Sequence, residues 1–224
     1  MVVLNHSAMK FLFGGSTTQT NQTSPQIHKP IFGASLEDLG EGEVPHILTV
    51  GLEMLQEHMK VEGLFRLSGD NRLMNQTRDD FNEGKYPTEE ATREILSSLK
   101  EHTIAGLVKM WFRELSDPVL TFDHYDMFIA AHGVPDPVTR LDVIKKVLTF
   151  LPTQNKEVLR ILCKFLNQLS SYQSENKMNS QNLSIVFAPN LLRPEGNQLK
   201  LLMSDSQYST GLMKTLIDDY QFLI

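Results

Sequence analysis

Cysteine is nearly missing from this chain: Cys163 stands alone among 224 residues. A single thiol excludes an internal disulfide framework and any metal centre built from several cysteines. The chain also lacks a Gly-x-x-x-x-Gly-Lys-Ser/Thr loop, so it is not expected to hold a nucleotide as P-loop enzymes do. There is no Gly-x-Ser-x-Gly elbow and no His-Glu-x-x-His pair. The seven histidines are scattered, none three or four residues from another, which suits surface or core roles better than metal ligation. No apolar run approaches the roughly 20 residues of a membrane span, so no transmembrane segment is expected. With one cysteine and no secretory pattern, the expected location is cytoplasmic. Positive charge is in deficit, with 21 Lys and Arg against 27 Asp and Glu. The resulting net charge of −6 argues against a protein held to nucleic acid or to an anionic membrane by its overall field, and leaves room only for a local basic patch.

What is present is a chain with 41% hydrophobic residues, enough for one sizeable core. Residues 1–29 stand apart. From Gly14 to Ser24 the sequence is wholly Gly, Ser, Thr, Gln and Asn, which bury too little apolar surface to offset their ordering entropy. This stretch is expected to be a flexible polar arm, with the domain beginning at Pro30. From there apolar residues recur at three- and four-residue steps. Pro45 suits a first helical turn, and Leu48, Leu52, Leu55 and Met59 follow it. Leu73, Thr77 and Phe81 mark a second helix ending at Gly84. A third runs from Ile104 to Leu115 and a fourth from Leu141 to Leu151. Leu159, Leu162, Leu166 and Leu169 form the longest stripe, and Leu212 to Tyr220 close the chain. No stretch alternates with period two and no repeat is visible. The expected fold is all-α, a single helical bundle of 30–224. The Thr88 to Lys100 stretch matches no strong pattern.

Three segments carry chemistry. In the first, Glu62 to Gly69, Leu64 and Phe65 can anchor a loop, Gly63 and Gly69 free its backbone on either side, and Ser68 or Asp70 can cap the next helix. Arg66 between these anchors would be fixed in position with its head free. Taken alone, it also fits an ordinary surface or capping arginine. In the second, Lys109 and Arg113 are four apart and share a helix face, where two like charges repel by a few tenths of a kcal/mol. A negative group between them would relieve this, either Glu114 or Asp117 of the chain or an acidic or phosphate-bearing ligand. In the third, Asn182 and Asn190 flank an apolar helix that Pro189 should break. Their amides can satisfy the helix ends or meet a partner.

Together these segments resemble the RhoGAP family. The Gly-x-Phe-Arg-x-Ser-Gly loop of that family is similar to Gly63 to Gly69. Its Leu-x-Lys-x-x-x-Arg-Glu-Leu helix is similar to Leu107 through Leu115, and its Asn-Lys-Met segment to Asn176 through Met178. The final Asn-Leu-x-x-x-Phe-x-Pro-Asn-Leu helix matches Asn182 to Leu191. Ile31-Phe32-Gly33 and Val44-Pro45 look like the family's entry segment. The usual Leu-Pro pair is Leu115-Ser116 here, so a looser turn is expected before Asp117. The resemblance implies a bundle of eight to nine helices. It also implies a GTPase-activating activity toward a GTP-bound small GTPase of the Rho or Rac branch, with Arg66 as an arginine finger. Lys109, Arg113, Asn190 and Asn182 would contact the GTPase. The chain would carry no cofactor and no complete active site of its own, since Mg-GTP belongs to the partner. A catalytically silent GTPase-binding or scaffold module is the alternative.

Overall fold

The computed structural model describes residues 29–40, 43–196 and 198–224. The expected polar arm, save Lys29, lies outside the described residues. Among those described there are twelve α-helices, nine of them seven residues or longer, and no strand. They are α1 (His46–Leu55), α2 (Asn71–Asn82), α3 (Glu89–Ser97), α4 (Glu101–Glu114), α5 (Tyr125–His132), α6 (Pro137–Leu148), α7 (Thr153–Ser171), α8 (Gln173–Asn176), α9 (Ser180–Leu191), α10 (Leu199–Ser204), α11 (Ser206–Asp218) and α12 (Tyr220–Leu223).

Local chemistry sets most boundaries. The Asp70 carboxylate accepts the N–H groups of Arg72 and Leu73 and starts α2. Thr88 caps α3 through the N–H of Ala91, Asp136 caps α6 through Thr139, and Asn179 caps α9 through Asn182. Pro45 stands one position before α1 rather than in its first turn, accepting from the N–H of Leu48. Met59 falls beyond α1, which ends at Leu55 and tightens into the 3-10 turn Gln56–His58. The patternless stretch after Thr88 folds as α3, which buries Thr92 and Leu96 and packs the half-buried Ile95 against the core. Pro189 does not break its helix, because α9 runs through it to Leu191. Pro189 is exposed, and Ile185, whose carbonyl loses its partner, is 57% exposed, so that carbonyl sits on the water side. The turn after Leu115 is not left slack. The Ser116 N–H donates to Ala34 O at 3.0 Å, and the Asp117 carboxylate accepts from Phe122 N–H at 2.9 Å.

The core lies where α1 packs on α4, α4 on α9, and α9 on α7 and α11. Its centre is aromatic. Phe187 of α9 meets Phe65 and Phe112 edge-on at 5.0 and 6.3 Å, and Trp111 meets Phe112 at 4.9 Å. Trp111 is fully buried, and its indole N–H donates to Ile31 O at 3.0 Å, pinning the entry segment across α4. One end of this core carries the loop between α1 and α2.

Candidate functional site

The loop from Lys60 to Gly69 is short of regular structure, so its shape rests on groups outside it. Leu64 and Phe65 are buried, and Phe65 wedges edge-on against Phe165 of α7 at 6.0 Å. Gly63 has φ +68, a backbone that L side chains rarely adopt, and its carbonyl accepts the N–H groups of both Arg66 and Leu67 at 2.8 Å. Gly69 serves for space rather than backbone freedom, since a Cβ there would lie 2.4 Å from the Thr103 Cα of α4. Phe65 itself holds φ +67, a strained conformation for a bulky residue, tolerated where surroundings over-determine it.

Two distant residues supply that constraint. Lys109 of α4 donates from Nζ to the Phe65 carbonyl at 2.8 Å, on the peptide that links Phe65 to Arg66. Burial of Lys109, with the neighbouring Arg113 charge, holds its pKa below the usual lysine value. Asn176 is fully buried at the end of α8. Its backbone carbonyl accepts the Gly63 N–H at 2.8 Å, and its amide donates to Met59 O at 2.7 Å and to Leu169 O at 2.9 Å. Its Oδ1 accepts the Met178 N–H at 2.7 Å. Asn176 thus fastens the start of the loop to the end of α7. It stood inside a recognised segment without being singled out, because nothing local distinguishes a buried amide from a surface one.

Arg66 projects from this frame. It is exposed, its guanidinium has no ion-pair partner among the described residues, and Nη2 folds back over Gly63, 3.1 Å from where a Cβ would sit. Arg113 lies one turn beyond Lys109, its side chain 59% exposed and 3.5 Å from the Glu114 carboxylate, which also faces Arg78 at 3.6 Å. Lys109 and Arg113 therefore turn apart, one to a carbonyl and one to its neighbour, rather than sharing an anion. Asn182 stands in the first turn of α9 and donates to Lys177 O at 2.9 Å, bracing the segment next to Asn176. Asn190 sits at the other end of α9, two turns away, only 8% exposed, its amide donating to Val186 O at 2.8 Å. Arg193 ties that end to α4 through the carbonyls of Asn190 and Leu115, and its guanidinium lies 5.4 Å from the Phe122 ring centroid. The structure thus joins Arg66, Lys109 and the Asn182 segment through direct bonds. Arg113 and Asn190 lie toward the C-terminal ends of α4 and α9. Among the described residues no His, Cys, Asp or Glu cluster could hold a metal ion, and no helix is long and apolar enough to cross a membrane.

The model of the RhoGAP domain matches residues 45–196, which contain the loop, both ends of α9 and all of α4. The chain belongs to the RhoGAP family. Rho GTPase-activating protein gacY of Dictyostelium discoideum is 37% identical over 202 residues, 87% of this chain and 27% of its own length. Human Rho GTPase-activating protein 24 is 30% identical, covering 86% of this chain and 26% of its own. The chain spans about a quarter of the length of the curated relatives it matches. Among solved structures, human Rho GTPase activating protein 15 superposes with a TM-score of 0.75 at 26% identity, covering 91% of this RhoGAP chain and 96% of that one.

Proposed function

We propose that this RhoGAP domain accelerates GTP hydrolysis on a Rho-family small GTPase by inserting Arg66 in trans beside the bound nucleotide. The observation that carries the reading is the contrast within one loop: a backbone pinned at Gly63 and Phe65, and an exposed guanidinium with no ion-pair partner among the described residues. A prepositioned arginine costs little reorganisation when it meets developing charge. In the reaction, water attacks the γ-phosphorus, the bond to the β–γ bridging oxygen breaks, and GDP and inorganic phosphate result. Negative charge grows on oxygens that a planar guanidinium can reach from outside the nucleotide site.

The GTPase holds Mg²⁺ and GTP and orients the water, so the RhoGAP domain needs no cofactor and no complete active site, and it acts as a cytoplasmic activator rather than an enzyme in its own right. Lys109 keeps the finger's peptide in place, and Arg113, Asn182 and Asn190 contribute polar contacts to the GTP-bound partner. An arginine finger of this kind is worth roughly 10³–10⁵ in rate, about 4–7 kcal/mol at the transition state. The test is a turnover assay of the purified chain on Rho, Rac and Ras. Stimulation of at least one Rho-branch GTPase with little effect on Ras is expected, and uniform or absent stimulation across the panel refutes the proposal.

A further inference from the structure

The charges of this chain are segregated along the fold. Residues 30–136 contain 20 acidic side chains against nine basic ones, whereas residues 137–171, which form α6 and α7, contain six basic and two acidic in a chain of net −6. Arg160 and Glu157 neutralise one another, bonded at 2.9 and 2.5 Å. Lys145, Lys146, Lys156 and Lys164 have no ion-pair partner among the described residues; Lys156 is half-buried and donates to Thr149 O at 3.4 Å, and the other three are exposed. Lys156, Arg160 and Lys164 recur at four-residue steps and form a ridge on α7, a like-charge spacing that disfavours the helix in isolation.

Two aromatic rings are exposed beside these lysines, one of them, Phe150, stacked on the His124 ring at 6.4 Å. Phe150, 54% exposed, projects from the turn between α6 and α7, immediately after the two lysines of the last α6 turn. Phe222, 50% exposed on α12, lies under Lys145, whose Nζ is 3.9 Å from the ring centroid. A groove of about 500 Å³ is lined by Lys145, Thr149, Lys156, Arg160 and Phe222, with Glu157 paired to Arg160 within it. α6 packs chiefly on α5 and α12, which leaves this edge open.

We propose that the edge formed by α6, the N-terminal half of α7 and α12 docks on an anionic lipid bilayer, the lysines meeting acidic headgroups and Phe150 and Phe222 entering the interfacial layer. Basic side chains ringed around exposed phenyl groups match such an interface, where charge attraction and apolar burial act together. The acidic excess of residues 30–136 favours an orientation that turns this edge toward a negative surface. The edge also leaves the finger loop free. Lys156 and Leu169, whose carbonyl Asn176 holds beneath that loop, are thirteen residues apart on α7, about 20 Å along the helix.

The test is co-sedimentation of the full chain with vesicles of phosphatidylcholine alone and of phosphatidylcholine mixed with phosphatidylserine. Binding is expected only to the mixed vesicles and should fall as salt is raised. Lys145→Gln with Lys156→Gln removes two charges, and at about 1 kcal/mol per basic residue near the surface the affinity should drop about 30-fold. Phe150→Ser should weaken binding while leaving the salt dependence in place. Lys145→Gln with Lys146→Gln, both in the last turn of α6, serves as a second pair should the first pair disturb folding, as read by circular dichroism. Equal binding to neutral vesicles, no binding to either, or affinity unchanged in both lysine pairs overturns the proposal. So does saturation of these lysines by inorganic polyphosphate without any vesicle binding.

Discussion

The guanidinium of Arg66 stays in water while the ammonium of Lys109 is drawn inward to the carbonyl of the preceding Phe65. Under the proposed function these placements assign different work. Arg66 meets charge that appears only in the transition state, so Arg66→Ala should lower stimulated turnover by roughly 10²–10⁴-fold with a small change in affinity for the GTP-bound partner. Lys109→Ala removes the donor that holds a strained peptide, and Arg113→Ala removes an exposed cation available before chemistry. Both should weaken binding as well as turnover. Steady-state kinetics across partner concentration separates kcat from KM for each variant. A loss confined to KM in Arg66→Ala contradicts the assignment.

At the scale of elements, α2 is fixed at both ends by carboxylates with different exposure. Asp70 caps its start, and Asp80 near its end accepts from Gln76 at 3.0 Å, Lys85 at 2.5 Å and Tyr86 at 3.3 Å. The bond from Lys85, more than the others, holds the Asp80 carboxyl below the usual aspartate range, against the opposing effect of burial. A depressed folded-state pKa stabilises the fold above the unfolded aspartate value, and that contribution is lost as pH falls through the folded value. Asp80→Asn should therefore melt at a lower temperature than wild type near neutral pH, and the gap should close as the solution is acidified below the ordinary aspartate pKa. Thermal melts of both proteins over that range check it, and a gap that stays constant or widens on acidification excludes this origin.

For the whole molecule, a finger that acts on transition-state charge predicts an order of affinities. The RhoGAP chain should bind the GDP-bound GTPase weakly, a non-hydrolysable GTP complex more tightly, and GDP with aluminium fluoride most tightly, since the planar fluoride stands in for the transferring phosphoryl group. Arg66→Ala should erase the fluoride advantage and leave the other two affinities nearly unchanged. Calorimetric titration of wild type and variant against all three states measures this directly. A passive binding module gains nothing from the fluoride, so equal wild-type affinity for the last two complexes rules against the finger.

Most of the longer helices were legible in the sequence because they depend on neighbours three or four residues away. The stripe from Leu159 to Leu169 gave α7, and the wording of four segments gave the RhoGAP resemblance that the family match bears out. Of the two caps open for α2, Ser68 and Asp70, the structure uses Asp70. Leu64 and Phe65 were also readable as anchors, since a paired apolar step in a glycine-bounded loop has nowhere to go but the core. Helix α3 escaped notice, its core face of Thr92, Ile95 and Leu96 being short and partly polar. Proline at position 189 misled, since its effect depends on which side of α9 meets water. Only the tertiary structure decided how the loop that carries Arg66 is held. Asn176 reaches Met59, Gly63 and Leu169, and Lys109 reaches Phe65 across 44 residues of chain. Gly69 owes its identity to the backbone of Thr103 rather than to its own torsions. Such contacts join residues far apart in the chain, and a buried amide or an inward lysine leaves no local pattern, because the energy that selects it comes from packing between elements rather than from the segment that contains it.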